Sequence, residues 1–424
     1  MFCILSQVLP TMTTLAAARP TPLTPNQIRG FIAAWGGWAL DGMDSFIYSL
    51  VLVPALTELL PRSGIEATPG NIGFYGSVLF ALFLIGWGMS MMWGPIADRF
   101  GRVRTLTLTI LCYSLFTLLC GVATNLWELA AFRVLAGIGI GGEWFIGATF
   151  VAEEWPEDRR KMGAGYMHTG YYFGFFLAAL ANYVIGTNFG WRWMFMLGLV
   201  PALLVAFIRM GVEESPVFLA RRHEEQPSAW RALANHWKRG LYLVVLMTAF
   251  TTLSHGTQDM YPTFLQEQHG LSTRWTGTLT LLMNVGAIVG ALAFGAISHK
   301  LGRQRTIIAA AALAAPVIPL WAYGDGLVQL AVGAVLMQFA VQGAWSMVPA
   351  YLNELSPFAI RATFPGVVYQ LGNLLSSRNV VFQADLAAAR GGDYGFALAV
   401  VAGVTVAVLI VWTAFGPSPQ DDMA

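Results

Sequence analysis

The sequence predicts an all-α membrane protein with twelve transmembrane helices in two pseudo-symmetric six-helix halves. Three observations predict it. The 424 residues are 56% hydrophobic and only 11% charged, with a mean hydropathy of +0.60. Soluble domains carry about 25% charged residues, so the main solvent of this chain is lipid. Apolar stretches long enough to cross a bilayer recur twelve times. A single shift of the sequence against itself then lays the motifs of the first half on those of the second.

The spans are predicted at about 29–57, 73–96, 104–123, 127–152, 162–187 and 192–211, then at about 240–265, 274–297, 304–324, 327–352, 362–388 and 394–415. They are numbered 1 to 12 in that order. Before them lies an extension, 1–28, expected to be cytoplasmic; it is apolar at first but has no basic region and no small-residue cleavage site, which argues against a signal peptide. Met12 is a second candidate start. Between spans 6 and 7 the segment 212–239 gathers Arg221, Arg222, His223, Glu224, Glu225, Arg231, Lys238 and Arg239, and is expected to link a first half, 29–211, to a second, 240–416. A short tail, 417–424, follows.

An even number of spans puts both termini on one face. About 18 of the 24 Lys and Arg residues fall on that face, which the preference of basic residues for the inner side makes cytoplasmic, in an inner or plasma membrane. Trp35, Trp38, Trp191 and Trp193 are expected to anchor span ends at the headgroup layer. Net charge is +1, which offers no footprint for nucleic acid. Cys3, Cys112 and Cys120 have neither metal spacing nor a disulfide framework, and no enzyme signature occurs. No cofactor, no metal and no catalytic residue is therefore expected, and the chain is expected to act as a monomer.

A shift of 201 positions carries Gly94, Gly101, Arg102, Arg104 and Thr105 onto Gly295, Gly302, Arg303, Arg305 and Thr306. It also carries Gly142, Trp144, Glu153, Pro156, Arg160 and Gly165 onto Gly343, Trp345, Glu354, Pro357, Arg361 and Gly366. Parallel repeats of this kind bind a solute at their interface near mid-depth and rock around it. The strings GPIADRFGRVR (94–104) and GAISHKLGRQR (295–305) resemble the loop signature of the major facilitator superfamily. RVLAGIGIGGEW (133–144) and EESP (213–216) resemble its helix 4 and helix 6 motifs. The resemblance implies gating roles for Asp98, Arg99, Arg102, Arg303 and Arg133; His299 replaces the aspartate in the second copy, so a latch there is expected to be weaker or pH-sensitive.

An ionised side chain at the centre of a span costs about 2.5–3.5 kcal/mol, so each must face a cavity or a partner. The candidates are Asp41, Asp44, Arg133, Glu143, His168, His255, Asp259 and Arg378. Asp41 and Asp44 share a helical face and read as a proton-carrying pair, or as partners of Arg133. Glu143 has Ala344 as its counterpart and reads as a further proton site. On span 7, TTLSHGTQDMYPT (251–263) places Ser254 and Gln258 on one stripe and His255 and Asp259 on the next. Pseudo-symmetry places Thr169 and Tyr172 of span 5 opposite Gln370 and Asn373 of span 11, toward the same pocket.

The span 7 string resembles the helix 7 signature of lactate permeases of the sialate:proton symporter group at Ser254, His255, Thr257, Gln258, Asp259 and Thr263. YQLGN (369–373) resembles that family's Gln-x-x-Asn pair, at Gln370 and Asn373. DGMD (41–44) is similar to a motif of this group and of the aromatic-acid:proton symporters. Fungal members of the lactate permeases carry an arginine in helix 2, whereas no Arg or Lys stands between Arg62 and Arg99 here. Arg378 is then the candidate cation for a carboxylate, with Arg133 behind it.

The resemblance implies a secondary transporter that is not an enzyme, coupling protons to a short monocarboxylate such as lactate or pyruvate. Its partners would be a small organic anion, a proton and the lipid bilayer. The expected substrate site is His255, Gln258, Gln370, Asn373, Arg378 and Tyr172. The expected proton-coupling groups are Asp41, Asp44, Glu143 and Asp259. Uptake of an aromatic acid, sialic acid or sugar is the alternative, with drug efflux or a non-transporting nutrient sensor behind it.

Overall fold

A computed structural model describes residues 21–221, 229–357 and 360–417. Most of the predicted extension, the core of the linker at 222–228 and the tail beyond 417 lie outside the described residues, as does the side chain of His299.

The first half is built from Pro25–Arg62 (span 1), Pro69–Met89 continued by Trp93–Phe100 (span 2), Arg102–Val122 (span 3), Leu126–Glu154 (span 4), Glu157–Ala181 extended by Asn182–Gly186 (span 5), and Trp191–Met196 with Val200–Gly211 (span 6). The second half repeats the plan. It comprises Trp237–Gln258 with Tyr261–Thr263 (span 7), Thr273–Leu301 (span 8), Arg303–Ala314 with Ile318–Tyr323 (span 9), Leu327–Trp345 with Val348–Glu354 (span 10), Thr363–Ser376 with Asn379–Ala388 (span 11), and Tyr394–Ala414 (span 12). Two short helices, Pro216–Arg221 and Ala229–Asn235, occupy the linker.

Among the described residues, eight helices are long and apolar enough to cross a bilayer unbroken, and span 1 makes a ninth across a 50° bend. Pro54 lies one turn beyond Leu50, where the bend falls, and its ring crowds that residue's carbonyl. The three spans that fall short are 6, 7 and 11. Span 6 is interrupted at Leu197–Leu199, and spans 7 and 11 break near Asp259 and Ser377, where their polar residues are concentrated. Irregular backbone at membrane depth is tolerated only where protein or a watery cavity surrounds it.

Both ends of the described chain meet the loops of one face. Thr21 N–H donates to Asp158 at 2.8 Å and Gln304 donates to the Pro417 carbonyl at 3.2 Å. On the opposite face Arg192 pairs with Glu58 at 2.9 Å, and Leu126 N–H donates to Ser63. The halves meet mainly where span 5 packs on span 8 and span 11 packs on span 2. Residues such as Phe74, Val285 and Phe382 are large, apolar and exposed on the outside of the bundle, where lipid would cover them.

Trp38 departs from its expected place at the headgroup layer. It is buried, stacked on Tyr171 with ring centroids 4.7 Å apart, and belongs to the interior. Trp191 is buried too and donates to Glu58, while Trp193 is exposed.

Candidate substrate and proton site between the halves

The face that carries the termini is closed. Asp98 of span 2 reaches across to the first turn of span 11 and accepts from Ala362 N–H at 3.1 Å, Thr363 N–H at 2.8 Å and the Thr363 hydroxyl at 2.6 Å. A carboxylate suits this position because the leading N–H groups of a helix lack partners and carry partial positive charge. Gly94 permits the approach, since a Cβ there would lie 2.6 Å from the Thr363 Cα. Arg102 holds Asp98 at 3.2 Å and Glu153 at 2.9 Å, while Arg303 pairs with Glu354 inside its own half. Arg99 is exposed over the ring of Phe100 and takes no part in the closure.

Glu214, in the linker, caps span 3: its carboxylate accepts from Arg102 N–H at 2.9 Å and Val103 N–H at 3.1 Å. Gly101, with φ +107°, allows that turn. Burial pushes the Glu214 carboxyl above its ordinary value, and the N–H groups of Val103, Ser215 and Arg102 only partly oppose this.

Above the closure lies a layer of rings. Trp144 stacks on Tyr369 at 4.3 Å, His168 stacks on Trp345 at 5.1 Å, and the two tryptophans meet edge to face. Polar groups tie the layer together across the halves. His168 Nε2 lies 2.9 Å from Gln342 Oε1, and the Gln342 amide donates to Ser254 at 2.9 Å and to Gln338 at 3.0 Å. Tyr172 is buried beside Ser254, and the Gln258 amide reaches Ser254 at 3.3 Å.

Beyond this layer span 7 carries a partly exposed polar pair. His255 and Asp259 are hydrogen-bonded at 3.0 Å, and their side chains are 50% and 33% exposed. Asp259 also lies near Tyr171 and Tyr172 of the other half, so the pair borders a hollow between the halves and not lipid. Asn373 accepts from Thr251 at 3.0 Å on the wall formed by spans 7 and 11.

Gln370 and Thr169 stand elsewhere, and Arg378 lies at a helix break. Gln370 is buried below the hollow, where its amide donates to Ser90 at 2.8 Å and to the Gly141 carbonyl at 3.1 Å, both in the first half. Arg378 is exposed at the break of span 11, just before Asn379. Thr169 accepts from the Trp35 indole at 3.1 Å and turns to span 1.

Arg133 is not at the gate: it is fully buried, 3.3 Å from Asp44, with its guanidinium over the rings of Phe83 and Tyr48. Asp41 and Asp44 therefore take different partners, and for Asp44 it is Arg133, the alternative their position left open. Asp44 is taken by Arg133, and Asp41 lies against Glu143 of span 4. Their side chains diverge because neighbouring helices, not the shared face, supply the partners.

Sequence reasoning missed Gln338, Gln342 and Tyr113. The glutamines are uncharged and sit in an apolar span, and Tyr113 has no motif around it. Trp144 and Trp345 were visible as repeat partners, although nothing in that match said they touch.

The Major Facilitator Superfamily family model matches residues 34–377. A protein of Haemophilus influenzae named for metabolite transport is 30% identical over 362 residues, covering 81% of this chain and 85% of its own. The sialic acid transporter NanX of Escherichia coli is 26% identical, covering 84% and 87%. The solved proton:xylose symporter XylE superposes with a TM-score of 0.76 at 18% identity, covering 92% and 96%. With twelve spans in two related halves, a motif-built closure on one face and a polar interface between the halves, this chain is a member of the Major Facilitator Superfamily.

Proposed function

We propose that this protein is a proton-coupled symporter of a small organic anion, and that its halves rock about the polar interface to expose the solute to one face and then the other. One observation carries the reading. The His255–Asp259 pair is half open to the hollow, while Asp98 and the ring layer seal the route to the terminal face. Charged and polar groups in such a place have little packing value, and mid-membrane ionisable residues mark solute or proton paths.

In the cycle, the anion enters from the face opposite the termini and meets His255, Gln258 and Asn373, with Arg378, exposed at the break of span 11, as the predicted cation. A proton taken up by an acid of span 1, 4 or 7 lowers the charge of the interface. The loaded form must favour closure over the empty form for the binding energy to drive rocking. The basic residues of the terminal face support a cytoplasmic location for the termini in an inner membrane, so this direction is uptake. A monomer contains all of these parts.

A short monocarboxylate such as lactate or pyruvate is the first candidate, from the span 7 and span 11 motifs. A larger anion is the second reading, favoured by the Trp38–Tyr171 stack beside the hollow and by the sialic acid transporter among the relatives. Purified protein in proteoliposomes, given labelled lactate, benzoate or sialate under an inward proton gradient, separates the two. Accumulation of none of them above the gradient-free control would remove the symport reading for these anions.

A further inference from the structure

Asp41 and Glu143 are both fully buried, and they lie against each other from spans 1 and 4. The phenol of Tyr113, on span 3, lies against the same Glu143 carboxyl and is also fully buried. Close as they are, none of the five oxygens of these three side chains has a partner in hydrogen-bonding geometry. Gly37 makes the space: a Cβ at that position would fall 1.3 Å from Glu143 Oε1, so the carboxyl occupies the volume a side chain would fill. Arg133, the buried cation of span 4, is engaged by Asp44.

Two ionised carboxylates side by side, away from water and without a cation, are not sustainable. Among the described residues no group of three or more His, Cys, Asp or Glu is placed to hold a metal ion. A proton is the ligand that fits two acids and a hydroxyl. We propose that Asp41, Glu143 and Tyr113 form one sealed site that holds a single exchangeable proton between the two carboxylates, with Tyr113 as a positioning residue and Gly37 as the notch that seats Glu143.

With the proton in place one carboxyl is a carboxylic acid that donates to the other carboxylate and the pair carries −1; the −2 form is reached only when the site opens to water and releases the proton. The other titratable groups in reach are Asp44, offset by Arg133, and the phenols of Tyr171 and Tyr369. Tyr171 lies near both Asp259 and Asp41, which places it between the hollow and the sealed pair. Its role in coupling rests on the symport reading above; its existence as a proton site does not.

Infrared spectra of the full chain in lipid, recorded across pH, test the site without a substrate. The expected result is one carboxylic C=O band that titrates, is lost in Glu143→Gln and Asp41→Asn, and persists in Asp259→Asn. In Tyr113→Phe the midpoint should move up by about one pH unit, a tenfold change in proton affinity, because the hydroxyl that would donate to the ionised pair once the proton leaves is gone. Tyr113→Phe removes one oxygen and keeps the ring, so it serves if the carboxyl variants do not fold. An unchanged midpoint in Tyr113→Phe, or a band that survives Glu143→Gln, overturns the site. Absence of proton-linked uptake with the band intact would instead overturn the symport reading alone.

Discussion

Trp144 and Trp345, 201 positions apart in the chain, meet edge to face across the two halves with ring centroids 5.5 Å apart and planes at 73°. Their neighbours obey the same shift. His168 stacks on Trp345 and Tyr369 stacks on Trp144, and His168 and Tyr369 are themselves 201 apart. The internal repeat thus becomes a physical two-fold contact in the middle of the molecule, where the halves must separate if the terminal face is to open.

Removing one of these rings should favour that opening. Aromatic pairs contribute about 0.5–1.5 kcal/mol beyond area burial, so Trp345→Ala should shift the balance of states by roughly two- to tenfold. A cysteine placed at Ser90, under the layer, would report it through its alkylation rate from the terminal side. Equal rates with and without Trp345 would show that the layer is not part of the seal.

Asp98 makes the more polar part of the same closure. Asp98→Asn removes the charge that faces the first turn of span 11, an interaction of about 0.5–2 kcal/mol. Spin labels on spans 2 and 11 near the terminal face should therefore show a longer-distance population that grows several-fold in the variant. The mirror position carries His299, so substitution there should move the distribution less.

The Arg133–Asp44 pair should behave as a structural brace. Arg133→Gln strands a buried carboxylate and is expected to cost about 3–5 kcal/mol, seen as a large fall in melting temperature in detergent, whereas the double variant with Asp44→Asn should recover much of it. Equal melting of the single variant and the wild type would argue for a free, transport-active Asp44.

Asp259→Asn removes the negative charge beside His255 in the hollow. Proton-driven accumulation should fall at least tenfold while exchange of pre-loaded solute is spared, and Arg378→Gln should raise the apparent KM with little change in maximal rate. Wild-type kinetics in both would displace the proposed site from the hollow.

Glu214 gives a pH signature outside the spans. Its carboxyl is held above its ordinary value by burial, so the native state binds that proton more tightly than the unfolded chain. The stability it contributes is greatest when it is protonated and declines as pH rises from about 4.5 through the raised native value. Thermal melting of the wild type should decline across that window relative to Glu214→Gln; parallel curves would contradict the assignment.

Twelve spans, two halves, the closure motif and the polar stripe of span 7 were legible in the sequence, because lipid permits few polar residues and a repeat leaves matched glycines and arginines. Pairing was legible only in part, as the alternative that set Arg133 against the span 1 aspartates. Helical spacing put Asp41 and Asp44 on one face, yet Arg133 from span 4 takes one of them and Glu143 the other. Gln370 and Arg378 share span 11 with Asn373, but Gln370 is spent on Ser90 and Arg378 stands at a break. Spacing along one helix determines which side chains share a face. Only the packing of the other helices decides what each of them meets, since a buried charge takes whichever partner the neighbouring span brings within about 3–4 Å.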